Sequence, residues 1–433
     1  MPLALHANTA ASLSSRPRLL GSLVTASASF RTPVSPPSFG AKASFHGNRW
    51  PIFERRQPSR MFVRRAVDAA LGAVGKGSSA TVRVATYNVL SPNLGAPGYF
   101  IHCDPEALVP ETRLQGVLAQ LQPEVDAGAV IGLQEVALKW VGPLQVWLAE
   151  RNYRFVQTNY GSDFSGYMGV GIAYPMGKYK LLDLDICRMR DTKRWPKEPE
   201  KEPGIGGRVL QVVTPVAKVV WSPVSLARRL LLGPPKREPT DPWTFSSRRY
   251  NQALSARLQC VASGASFWVS TYHMPCAFFL PPAMVIHVAL AVQNIAALAE
   301  KHGEPFVLCG DFNIKPGDAT YELITSGCSL PEGHPELPEP REWDSWLPTV
   351  PKPMKSAYFE VNGSEPDFTN FAQTKKDEQP FIACLDYIFI SEECTSMAVR
   401  QLPARSEVDG PFPTLKEPSD HMLIAATITI PHV

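Results

Sequence analysis

A series of short apolar stretches in this chain each end in a residue able to bind a hard cation or move a proton. Asn88 closes VATYN, Glu135 sits in IGLQE, and His273 closes VSTYH. Asp311 and Asn313 lie in VLCGDFN, Asp386 opens DYIFIS, and Asp420 and His421 form SDH ahead of MLIAATITI. Taken singly, each has an ordinary structural reading. An Asp before Phe-Asn is a common turn residue, a Glu can cap the following segment, and a lone His at a strand end is more often structural than catalytic. Together they describe a carboxylate, amide and imidazole set. Hard divalent cations such as magnesium take oxygen ligands and keep several waters, so one or two carboxylates, an Asn oxygen and phosphate oxygens suffice to hold one. Phosphoester hydrolysis further requires a deprotonated water and neutralised phosphoryl oxygens, which carboxylate and imidazole groups at hydrogen-bond reach can provide.

Residues so far apart in sequence can meet only if the elements carrying them end along one edge. TVRVATYNVL, beginning at Thr81, reads as a strand, ETRLQGVLAQLQ spaces its leucines and valine helically, and AVIGLQEV follows as a strand. GVGIAYP, GRVLQVVTPVAKVVW, ALSARLQCVA and SFWVSTYH read as further strands, and PPAMVIHVALAVQNIAALAEKH as a helix with Pro near its start. The strands between about 165 and 273 lack the helical crossovers that parallel neighbours need. The expected fold is therefore α/β: two mainly antiparallel sheets packed face to face and flanked by helices, a four-layer α/β/β/α sandwich. Residues 191–207 and 330–353, rich in Pro and polar side chains, read as insertions or mobile loops.

Charge is unevenly spread. The first 60 residues carry eight Lys and Arg against one acid, Glu54, leaving 35 basic and 39 acidic residues in the remainder. That leader is rich in Ser and Ala with spaced arginines, the composition of a transit peptide over residues 1–76. A soluble protein of the chloroplast or mitochondrion is the expectation, with a cytoplasmic location as the alternative. No stretch of about 18 consecutive apolar residues suggests a membrane span. The eight cysteines form no CxxC pair, which argues against a zinc site or a disulfide framework. His287, inside an apolar helix, reads as a packed core histidine, and Trp140 and Trp147 as a packing face. The sequence sets no expectation for oligomeric state.

The ordered motifs TYN (86–88), LQE (133–135), TYH (271–273), GDFN (310–313), LDY (385–387) and SDH (419–421) resemble the endonuclease/exonuclease/phosphatase (DNase I-like) superfamily. The resemblance spans about residues 81–432. Within it, SAYFEVNGSEPDFTNF followed by FIACLDYIFIS is similar to the branch of carbon catabolite repressor deadenylases, nocturnin and Angel. The resemblance implies a magnesium-dependent hydrolase acting on nucleotide phosphoesters, with manganese as substitute. Glu135 would be the principal metal ligand, with Asn88 beside it and Asp420 near or in the coordination shell. Asp311 would orient or deprotonate the attacking water, Asn313 would hold that water or a phosphate oxygen, and His273 would stabilise charge on phosphorus. His421 would bind the scissile phosphate with Asp386 supporting it. Phe381 matches an aromatic that stacks on a base, and Glu365, Asn370 and Phe371 match positions lining the same region. MPCAFFLPP (274–282) departs from the branch pattern, so that wall of the pocket is expected to differ. No leucine-rich adaptor repeat is seen ahead of the domain. The implied partner is RNA, cleaved as by a 3′–5′ exoribonuclease or deadenylase. The alternatives are a phosphatase or 2′,5′-phosphodiesterase for a small nucleotide, and a non-catalytic RNA-binding module. Arg113 and Arg249 are further candidates for phosphate contact.

Overall fold

The computed structural model describes residues 79–199, 240–374 and 379–432. The expected leader (1–76), the strand expected at 207–221 and the end of the 191–207 segment lie outside the described residues. Strands β1 (Ala80–Asn88), β2 (Val130–Val136), β3 (Tyr153–Asn159) and β4 (Gly169–Pro175) come first, then β5 (Tyr179–Arg188), β6 (Gln252–Cys260), β7 (Ser266–His273) and β8 (Phe306–Asp311). Strands β9 (Lys355–Ser356), β10 (Asn370–Ala372), β11 (Phe381–Ala383), β12 (Asp386–Ile390), β13 (Thr395–Val399) and β14 (Ile424–Ile430) follow. The helices are α1 (Pro110–Asp126), α2 (Leu138–Glu150), α3 (Pro242–Ser247), α4 (Pro281–Glu300), α5 (Ala319–Thr325) and α6 (Ala357–Asn362).

One sheet has the order β13-β14-β1-β2-β4-β3 and the other β5-β6-β7-β8-β12-β9; β10 and β11 form a separate pair. Both large sheets are mixed. Each contains one parallel pair, β1 with β2 and β7 with β8, and each pair is joined by a helix long enough to return the chain, α1 and α4. The remaining neighbours are antiparallel.

Three separate apolar cores account for four layers. Between the sheets, Val82, Val84, Val130, Ile172, Leu254, Val269, Val307 and Ile388 interdigitate, while the alternate residues of the same strands face outward. On one outer face, Tyr87, Ile131 and Leu133 pack against Val117 and Leu121 of α1 and Trp140, Leu144 and Leu148 of α2. On the other, Trp268, Tyr272 and Leu308 pack beneath Val285, Val288 and Val292 of α4. Composition alone would let α4 cross a membrane, but two-thirds of its apolar window is buried inside the fold. It is a core helix.

The 330–353 segment is irregular but anchored rather than loose. Trp346 Nε1 donates to Gln293 Oε1 of α4 at 2.8 Å, and Gln293 Nε2 donates to the Thr349 carbonyl at 2.7 Å. Lys193 Nζ meets Asp344 Oδ2 at 2.6 Å and lies 4.5, 5.4 and 5.1 Å from the ring centres of Trp195, Trp243 and Trp346. A desolvated ammonium held by a carboxylate and aromatic faces tolerates loss of the carboxylate poorly. Asp344→Asn should destabilise the fold by about 3 kcal/mol, and Lys193→Met combined with Asp344→Leu should recover most of that loss in urea unfolding. Equal damage from the single and double changes would show that the pair does not anchor the segment.

His287 packs within α4, its Nδ1 3.1 Å from the Tyr272 hydroxyl and its Nε2 buried without a partner. Burial, reinforced by the Arg249 charge, pushes its pKa down to about 3. The unfolded chain therefore binds this proton at higher pH than the folded one, so the contribution is intact above about pH 6.5 and erodes as pH falls toward 3. From pH 7 to pH 5 this group alone should cost about 2 kcal/mol of stability. His287→Gln should flatten that part of the unfolding free energy measured against pH; an unchanged slope would contradict this assignment.

Candidate active site

The site lies where β1, β2, β7, β8 and β12 end on one rim. Strand register puts three of its side chains in a row, because His273 pairs with Asp311 across the parallel β7/β8 ladder and Asp386 pairs with Asp311 across β12/β8. All three are in phase with the residues that face the opposite sheet, as is Asn88 on β1. Gly132 lets the sheets close together here, since a Cβ at this position would meet Cys309 Sγ and Thr271 Oγ1 at 2.9 Å. Gln134 bridges the gap, donating to Thr86 Oγ1 at 2.9 Å and to Thr271 Oγ1 at 2.7 Å.

Glu135 is out of phase with that alternation, and a bulge brings it in. The β2/β4 register shifts between Leu133 and Val136, and Glu135 adopts a left-handed backbone with φ of 58°. Asn313, beyond β8, has φ of 52°. Such conformations cost non-glycine residues about 1–3 kcal/mol each and persist where surrounding contacts hold them. Those contacts are present. Glu135 Oε2 accepts from the Ser91 amide at 2.9 Å, and the Asn313 amide donates to Asp311 Oδ1 at 3.0 Å while its Nδ2 donates to the Met274 carbonyl at 3.0 Å.

Asn88 Nδ2 links the two halves, donating to Glu135 Oε1 at 3.1 Å and to Asp311 Oδ2 at 2.9 Å. Its Oδ1 accepts from the Leu90 amide at 3.0 Å, so the oxygen expected to face a cation is turned to the backbone. Here Asn88 spaces two carboxylates. Asp311 Oδ2 also lies 3.5 Å from His273 Nε2 and 3.7 Å from His421 Nε2. Each imidazole is oriented from behind: Tyr160 Oη is 3.1 Å from His273 Nδ1, and Asp386 Oδ2 is 2.7 Å from His421 Nδ1. Thr369 Oγ1 donates to the same Asp386 oxygen at 2.6 Å.

Burial works against a charged His421, but the Asp386 and Asp311 carboxylates outweigh it and hold the imidazole pKa well above the usual histidine range. The Asp420 carboxyl is pushed up to about 6, by enclosure first and by the Glu135 charge, against the opposing pull of His421 and Arg113. A desolvated carboxylate beside a second negative charge suits a nearby cation. Asp311, Asp386 and His421 form a close group, with ligand atoms within 4.8 Å of one another. In that group His421 Nδ1 and Asp386 Oδ2 already satisfy each other, which favours a proton-holding pair over a chelate. Carboxylate oxygens such as those of Glu135 and Asp420 are the donors that a hard cation takes.

The other expected residues are placed as follows. Asn370 is buried and donates from Nδ2 to the Asp420 carbonyl at 3.1 Å, supporting the 419–421 turn. Phe371 is buried with Phe368 and Phe412, and Glu365 accepts from the Tyr321 hydroxyl at 2.7 Å. Phe381 is exposed beside Phe278, with ring centres 5.7 Å apart. Arg113 is not available to phosphates: it is buried, donating to the carbonyls of Pro418, Val89 and Leu90 at 2.6 Å. It ties two site-bearing loops together. Tyr160, Ser91 and Thr369 escaped the sequence reading because each serves a neighbour's orientation from an unremarkable local sequence; Gln134 stood next to Glu135 without a signal of its own.

The chain is similar to known proteins in sequence and in fold. The chain is 29% identical over 203 residues to the CCR4-Not complex 3'-5'-exoribonuclease subunit Ccr4 of Aspergillus niger, covering 39% of this chain and 29% of that protein. It is 37% identical over 128 residues to carbon catabolite repressor protein 4 homolog 4 of Arabidopsis thaliana, covering 29% of this chain and 27% of that protein. The matched regions thus span less than a third of these relatives. Among solved structures, ANGEL2, a 2',3'-cyclic phosphatase, superposes with a TM-score of 0.58 at 18% identity, over 82% of this chain and 99% of that one. The human nocturnin catalytic domain gives 0.51 at 17% identity, over 82% and 98%. At these identities the likeness establishes the fold. The Endonuclease/Exonuclease/phosphatase family model matches residues 85–421, covering the rim from β1 to His421, and the chain belongs to that family.

Proposed function

We propose that this chain is a divalent-cation-dependent phosphoesterase that removes nucleotides from the 3′ end of single-stranded RNA, with oligoadenylate as the substrate class. The observation that carries this reading is the row His273, Asp311, Asp386 facing Asn88, with His421 closing it at 3.7 Å from Asp311. Similarity to proteins described as 3'-5'-exoribonuclease subunits supports the choice of RNA over a small nucleotide.

Glu135 and Asp420 would hold magnesium, which when bound supplies charge neutralisation at the phosphoryl oxygens. Asp311 accepts the proton of the attacking water, its Oδ2 lying between two imidazoles at 3.5 and 3.7 Å. With Tyr160 held against Nδ1, His273 presents Nε2–H to the oxygens on which charge develops. His421, kept protonated by Asp386 and Asp311, binds the scissile phosphate as a cation. Asn313 supplies a polar wall and fixes Asp311 through its backbone amide.

Asp311→Ala and His421→Ala should each lower turnover of labelled oligoadenylate by about 10²–10³-fold while circular dichroism and melting stay close to the parent. EDTA should abolish activity, with magnesium or manganese restoring it and zinc failing to, because the donors are oxygens rather than the nitrogen and sulfur set zinc prefers. Unimpaired hydrolysis by both variants would end the enzymatic reading, and rescue by zinc alone would end the assignment of a hard cation.

Substrate class is separable in one assay. With magnesium present, release of mononucleotide from oligoadenylate and none of inorganic phosphate from NADPH is expected. Phosphate from NADPH with intact RNA would replace this reading with a small-nucleotide phosphatase.

A further inference from the structure

Exposed aromatic rings with cations seated on them extend away from the rim, and neither the metal site nor the base contact expected at Phe381 accounts for them. The departing segment 274–282 starts at the site itself: the Met274 amide donates to the Asp311 carbonyl at 2.9 Å and its carbonyl accepts from Asn313. It carries Phe278 and Phe279, which are 37% and 69% exposed. Lys315 Nζ lies 5.8 Å from the Phe278 ring centre. Phe279 then meets Phe245 of α3 edge to face at 5.7 Å, and Arg249 Cζ covers the Phe245 ring at 3.7 Å. Next in the chain is Tyr250, 54% exposed, with Arg190 Cζ 4.4 Å over its ring. Asn251 closes the circuit, donating to the His273 carbonyl at 2.8 Å.

Sites for single-stranded nucleic acid combine bases stacking on aromatic faces with cations that follow the backbone, and they tolerate any sequence because every base has a flat face. Among the described residues, neither Lys315 nor Arg249 has a carboxylate partner; Arg190 shares Asp191 with Arg188. Exposed rings on a folded surface need a partner that profits from them, and unpaired cations beside them select a polyanion. From this we infer that Phe279, Arg249 and Tyr250 form an outer track for the nucleotides of a single-stranded RNA that lie upstream of the cleaved end. The inference rests on the proposed RNA activity and adds to it a length requirement. It also locates basic contact on a body whose overall balance is mildly acidic.

The test uses the full chain with a fluorescently labelled oligoadenylate trinucleotide and dodecanucleotide, binding being read by anisotropy in EDTA so that neither is consumed. The parent should bind the longer RNA about tenfold more tightly. Phe279→Ala and Arg249→Gln should each weaken the longer RNA about five- to tenfold while changing the trinucleotide less than twofold. Phe279 is exposed enough that its loss should leave the melting temperature unchanged, and Arg249→Gln provides an independent reading. Equal affinity for both lengths in the parent, or equal weakening of both in the variants, would overturn the track. Length-dependent binding without any RNA hydrolysis would leave the track standing and remove the proposed activity; hydrolysis without length dependence would do the reverse.

Discussion

The molecule depends on concentrating negative charge at a rim between two sheets. Asp311 is central: strand register sets His273 on one side and Asp386 on the other, and Asn88 reaches it from the opposite sheet. Carboxylates in so small and enclosed a space lose their hydration and repel one another, and the Asp420 carboxyl is raised first by burial and further by the Glu135 charge. Four groups relieve it in the protein itself, namely the Asn88 amide, the His421 cation and the backbone amides of Ser91 and Asn313. What is left over near Glu135 and Asp420 is charge that a metal would balance.

This arrangement requires rigid support, and the sandwich provides it. The row on β7, β8 and β12 cannot shift by one residue without sending every inward apolar side chain of those strands outward, so the core fixes the site's register. The rim residues that strand alternation cannot place are placed by left-handed backbone at Glu135 and Asn313. Arg113 fastens the loop after β1 to the turn carrying Asp420 and His421 by donating to carbonyls on both. A charged side chain is buried there to hold backbone, with aromatic support from Trp140 5.2 Å away.

Much of this could be read from sequence because the signal is periodic. Polar tips on apolar strands mark an edge, and helices between only some strands mark a two-sheet, mainly antiparallel sandwich; both features are present, and the structure adds one parallel pair in each sheet. The motif series resembled the family to which the chain belongs. Other features depend on three-dimensional contacts that leave no periodic trace. Arg113 looks in sequence like any helical arginine, yet it is a buried tie. The Pro-rich 330–353 segment looks mobile by composition, yet tryptophans spread along the chain gather around Lys193 and anchor it. Tyr160 and Thr369 orient imidazole and carboxylate through single hydrogen bonds, and nothing in their neighbourhoods announces this. Phe381 could as well have been a core ring until its exposure beside Phe278 was seen.

The central claim is that a hard cation belongs at Glu135 and Asp420 while Asp386 and His421 keep each other occupied as a proton-holding pair. Manganese soaked into crystals of the full chain and located by its anomalous scattering tests this most directly. A single strong peak within ligand distance of the Glu135 and Asp420 carboxylates, with the contact between Asp386 and His421 intact, is the predicted result. A peak seated among Asp311, Asp386 and His421 with that contact broken, or no peak at the rim at millimolar manganese, would contradict it.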